Sequence, residues 1–147
     1  MTATPPSPFL RAWAVGVTRV VLGLIFGMAG WYKTFVQTPA GHYEQFFAPF
    51  ADTTWLPVWA LWITGVTIPI VEFVAGWLVV VGFRMREAIV ALGVILIVVT
   101  YGHLLENHLF VFTSHVIPRL GLLLVVVFLA ADDRFSVDAW LQRRKPR

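Results

Sequence analysis

What most constrains this chain is a series of long apolar runs set between lysines and arginines. The hydrocarbon core of a bilayer is about 30 Å thick, and a helix needs roughly 20 mainly apolar residues to cross it. Four stretches are read as spans, at about 13–35, 56–83, 88–105 and 117–131, the last being the shortest. Composition agrees: 59% of the 147 residues are hydrophobic and only 13% are charged, and the mean hydropathy is +0.78. A water-soluble domain of this size would have too few charges to cover its surface. The expected fold class is therefore all-α, a single transmembrane domain over 1–147 forming an integral membrane four-helix bundle with the lipid bilayer as its solvent.

Several function classes drop out at once. With no cysteine, disulfides, thiolate metal sites and thiol redox chemistry are excluded. The opening MTATPPSPFLRAW lacks the charged start, short apolar core and small-residue cleavage site of a leader, so the first apolar segment is read as retained. The net charge of +3 comes from basic residues at segment ends and in a C-terminal RRKPR. That is how membrane flanks are dressed, and no nucleic-acid partner is expected.

Helix punctuation fits the spans. Ser7-Pro8 reads as an N-cap followed by proline at the first helical position, and Pro57 and Pro118 start spans two and four. Pro69 lies inside span two, where it frees a carbonyl one turn earlier, to be satisfied by Thr64 or a neighbouring helix. With four crossings, Arg11, Arg84, Arg86, Arg134, Arg143, Arg144, Lys145 and Arg147 share one side, while Lys33 and Arg119 mark the other. The positive-inside rule then puts both termini in the cytoplasm of a bacterial cell, with the bundle in its inner membrane.

The long outer loop over 34–55 carries His42, Tyr43, Glu44, Phe46, Phe47, Phe50 and Trp55 and is expected to lie along the membrane surface. The C-terminal DRFSVDAWLQRRK reads as a second interfacial helix. In it Ser136 caps, Asp138 suits the first turn, Phe135 staples onto Trp140 and the basic cluster closes the end.

Two charges inside apolar sequence draw the first functional hypothesis. Counted from Arg11 and Arg84, Arg19 and Glu72 fall at similar depth, and they are expected to pair or to share a polar network. An unpaired charge there costs on the order of 2.5–3.5 kcal/mol on insertion scales. The pair reads as a structural clasp, a proton-relay carboxylate, a quinone-head contact or a docking point for another subunit.

A second cluster is His103, Glu106, His108 and His115, near the outer ends of spans three and four. Imidazole with carboxylate suits zinc, copper or iron, and a histidine near a helix end suits haem. No tight ligand spacing is present, so polar interface histidines and proton handling stand beside a metal or haem site; His42 could join them. Gly16, Gly23, Gly27 and Gly30 line span one, with a GxxxG step at Gly23 and Gly27 that predicts close helix packing.

The run RVVLGLIFGMAGWYK from Arg19 to Lys33 resembles the start of the DoxX family, in which an arginine opens an R-x-x-L-G-x-x-F-x-x-x-G-x-x-K helix. VEFVAGWLVVVGFRMRE resembles the family's second helix and DDRFSVDAWL its G-R-[YF]-S-[LIV]-D tail. The resemblance marks Arg19, Lys33, Glu72, Arg84, Arg86, Ser136 and Asp138. It implies a four-helix membrane subunit of the kind associated with thiosulfate–quinone oxidoreductases and other membrane redox assemblies. The outer segment is longer and more aromatic than that family's short loop.

Three functions follow as expectations. The first is an accessory subunit packing against a larger redox-active inner-membrane complex. The second is a quinone-linked oxidoreductase component using Arg19, Glu72 and the outer histidines. The third is a small transporter, which with four spans and no visible inverted repeat would need to dimerise.

Overall fold

A computed structural model describes residues 6–106 and 116–144. Among them are six α-helices: α1 Pro8–Trp31, α2 Pro39–Phe46, α3 Val58–Val81, α4 Met85–Glu106, α5 Val116–Phe128 and α6 Val137–Arg144. Helix α1 runs on through a π-helical turn, Tyr32–Val36, and short 3-10 turns follow α2 and α5 at Ala48–Ala51 and Ala130–Asp132.

This corrects the expected four-helix bundle. Among the described residues three helices are long and apolar enough to cross a membrane: Pro8–Val36, Val58–Val81 and Met85–Glu106. The stretch expected as a fourth span forms α5, whose 13 described residues reach roughly 20 Å at about 1.5 Å per residue, short of the roughly 30 Å core. Leu129 leaves the helix at φ −98° and ψ 8°, and the chain turns so that Asp133 meets Arg19. Hydropathy counts apolar residues, whereas a span also needs them to stay helical. The expected orientation, which rested on four crossings, falls with them.

The tightest packing joins α1 to α3. A Cβ built on Gly23 would come within 2.7 Å of the Gly76 carbonyl oxygen, and one on Gly76 would collide with the backbone of Gly27. Gly30 meets the backbone of Phe73 in the same way. The GxxxG step thus lets two backbones touch, which small residues alone permit. Around this seam Leu22, Phe26, Ala75, Val79, Leu92, Leu96, Leu123 and Val126 form the core. Gly16 faces elsewhere, toward the Phe135 ring.

Helix α4 is held more loosely than α1 or α3. Val90, Val94 and Ile97 are 61%, 52% and 71% exposed, an apolar face of the kind lipid or another membrane protein covers.

Candidate functional site

Arg19 and Glu72 do not pair. The contact of Gly30 with Phe73 and of Gly23 with Gly76 sets the register of α1 on α3, so Arg19 lies opposite the end of α3 while Glu72 lies opposite the other end of α1. Val79 lies seven positions after Glu72, roughly 10 Å along a helix. Each charge finds a different partner.

Arg19, 3% exposed, donates from Nη1 to the carbonyl oxygens of Val79 and Val80 at 2.6 and 2.5 Å. These are carbonyls of the last turn of α3, and a cation at a helix C-terminus is favoured by the dipole as well as by the hydrogen bonds. Its Nε stands 3.2 Å from Asp133 Oδ2, a contact of charges without a directed hydrogen bond.

Beside this clasp Gly82 ends α3 at φ +74°, and a Cβ there would strike Ser136 at 2.5 Å. The Gly82 carbonyl accepts from the Asp138 amide at 2.9 Å. In return the Asp138 carboxylate accepts from the amides of Arg84 and Met85, at 3.1 and 2.9 Å. Asp138 therefore caps α4 from the far end of the sequence, and Ser136 Oγ caps its own helix through the Ala139 amide at 3.2 Å. Phe135 lies against Gly16, while Trp140 sits under the Arg144 guanidinium, 3.8 Å from ring centre to Cζ. Arg84 and Arg86 are exposed.

Glu72 pairs with Lys33 at 2.6 Å. Lys33 stands on the π-helical turn that closes α1, and that wider turn sits where the lysine must reach back to mid-α3. The carboxylate is 4% exposed.

The same region holds His42, itself 4% exposed. Its Nδ1 is 2.7 Å from the Gly65 carbonyl oxygen, and since a carbonyl only accepts, Nδ1 carries the proton. Gly65 is the residue whose carbonyl Pro69, lacking an N–H, leaves unused. Of the two partners expected, Thr64 or a neighbouring helix, it is a side chain of α2 that serves. Burial holds the imidazole below its ordinary pKa, the nearby Lys33 charge acts in the same direction, and the bond to Gly65 opposes both.

Lys33, Glu72 and His42 line a cavity of about 400 Å³ together with His103, Glu106 and Arg119. Phe46, Phe47 and Phe50 from the loop close one side, and Phe26, Ile68, Ile95 and Leu96 form an apolar floor. This is the size and character of a small-ligand site, apolar walls with a few convergent polar groups. The aromatic loop thus packs inward over the helices and is more than a surface anchor.

Of the expected metal or haem set, His103 and Glu106 both line this cavity, while His108 and His115 lie outside the described residues. Among the described residues no group of three or more His, Asp or Glu stands close enough to hold a metal ion. Arg19 does not line the cavity, so the arrangement of Arg19 with Glu72 around a quinone head is not assembled. Sequence reasoning missed Asp133, which follows an apolar run and reads as a solvated helix end.

The fold and polar groups define a multi-pass membrane protein with an internal cavity and self-paired charges. The sequence profile of the methylamine utilisation protein MauE matches residues 11–114. The chain belongs to the MauE family, membrane proteins related to the DoxX-like ones; DoxX itself is not singled out. Arg19, Lys33, Glu72, Arg84 and Arg86 fall within the matched range, and Ser136 and Asp138 beyond it. No curated protein and no solved structure matches the chain.

Proposed function

We propose that the protein is an accessory subunit that packs against a larger, redox-active membrane assembly serving methylamine utilisation, the process named for its family. The observation that carries this reading is the contrast between its charges and its surface. Arg19, Asp133, Lys33, Glu72 and Asp138 are spent on partners within the chain, whereas α4 keeps an open apolar face at Val90, Val94 and Ile97. Among the described residues nothing lies within 4 Å of where a Cβ on Gly93 of the same helix would stand, so another helix has room to approach closely.

The test places a photo-crosslinking residue at Val94 or Ile97 in the native host grown on methylamine. The expected result is a cross-link to one defined membrane polypeptide, together with loss of growth on methylamine when the gene is deleted. Cross-links to lipid alone, with undiminished growth on methylamine, overturn the proposal.

A further inference from the structure

Among the described residues, Arg119 is a cation of the cavity lining without an ion-pair partner. Glu72 is matched by Lys33 at 2.6 Å, and His42 is engaged on Gly65 and held toward its neutral form by burial. Arg119 forms no ion pair among the described residues. Its guanidinium carbon lies 5.6 Å above the ring centre of Phe26, and Phe26 is 1% exposed within the bundle. Glu106 borders the same cavity but stands exposed at the end of α4 and does not pair with Arg119.

A half-buried guanidinium seated over an apolar ring calls for a counter-charge. The buried seats for a cationic ligand are taken: the Lys33 ammonium occupies Glu72, and the Arg119 guanidinium occupies the face of Phe26. An alkylammonium would have to displace one of them or settle on Glu106, which is exposed at the end of α4. The walls beside Arg119, formed by Val98, Val99 and Gly102 of α4, are apolar. Among the described residues a Cβ at Gly102 would meet nothing within 4 Å, which leaves room there for a chain.

We propose that this cavity binds an amphiphile with a single anionic head, carboxylate or phosphate, on one apolar chain, with Arg119 as the counter-ion and the Gly102 side of α4 as the channel for the chain. The proposal is independent of the assembly role, which concerns the outer face of α4. It also runs against the reading that the family's name invites, an amine as ligand.

The test uses the full chain purified in mild non-ionic detergent, with binding followed by calorimetry and native mass spectrometry. The probes are dodecanoate, dodecyl phosphate, dodecylammonium, dodecanol and acetate. Dodecanoate or dodecyl phosphate is expected to bind about tenfold or more tightly than dodecanol and dodecylammonium. A preference for the carboxylate identifies a free fatty-acid type of ligand, and a preference for the phosphate a lipid headgroup. Arg119→Gln should weaken the acidic probes about tenfold while leaving dodecanol unchanged. Gly102→Leu, which adds bulk to open space, should weaken every chain-bearing probe without lowering thermal stability. Equal or tighter binding of dodecylammonium, undiminished dodecanoate affinity in both variants, or acetate competing as well as dodecanoate overturns the proposal.

Discussion

The Nδ1 of His42 stands 2.7 Å from the carbonyl oxygen of Gly65, the acceptor that a residue other than proline at 69 would use. A helix defect in α3 is thus repaired by a side chain from the loop, and the repair fixes where α2 sits. His42→Ala should lower stability by about 1–3 kcal/mol, the cost of a buried carbonyl left without a donor. In a Pro69→Ala background, which restores the missing N–H, the same change should cost less. Unfolding in mixed micelles measures both, and equal costs in the two backgrounds would remove the link.

The same histidine makes α2 docking sensitive to acid. Its folded pKa is depressed by burial, so the unfolded chain binds protons more readily as pH falls. The contribution of the neutral imidazole is fully present above the unfolded value of about 6.5 and is lost as pH drops through the lower folded value. Unfolding measured from about pH 8 to about pH 5 should show declining stability in the wild type and a flatter profile in His42→Gln. Parallel profiles would assign the decline to other groups.

Arg19 and Asp133 should behave as a unit, and Arg19 and Glu72 should not. The Arg19 and Asp133 side chains are 4% and 8% exposed, and removing one partner of so buried a pair costs about 3–5 kcal/mol. Arg19→Met and Asp133→Leu together should therefore cost clearly less than the sum of the two. Arg19→Met and Glu72→Gln should add within about 0.5 kcal/mol, whereas Lys33→Met and Glu72→Gln should couple. A cycle in which Arg19 couples to Glu72 and not to Asp133 would overturn the observed register.

Apolar length made three helices legible in the sequence, since hydropathy and the proline signals at Ser7-Pro8 and Pro57 mark the starts of α1 and α3 closely. It failed at α5 because an apolar run says nothing of where helix gives way to a turn demanded by a distant partner, here the meeting of Asp133 with Arg19. Depth counted from flanking arginines put Arg19 level with Glu72, but helix register is decided by which glycines touch. That contact pairs Gly30 with Phe73 and sends Lys33 to the carboxylate. The cavity was half visible: Glu72, His103 and Glu106 stood out as polar residues in apolar surroundings. Arg119 read as a marker of the membrane edge, and its seat over Phe26 needs the fold to be seen.

Asp138 stands in the first turn of α6 as its local signal suggests, but that signal leaves out a partner. An acid two residues after Ser136 suits the first turn of α6, yet its carboxylate caps α4 through the Arg84 and Met85 amides. Arg84 is held there at φ +50°, a left-handed conformation that favours glycine or asparagine. Asp138→Ala should cost about 0.5–2 kcal/mol, as the loss of a helix cap does, and Asp138→Asn, which keeps one acceptor, should cost less. Removing the chain after Asp133 should have at least the effect of Asp138→Ala and speed amide exchange at Arg84 and Met85, because the cap leaves with the tail. If exchange at these two amides is unchanged in the truncated chain, α4 is capped without Asp138 and the C-terminal segment does not hold the α3–α4 turn.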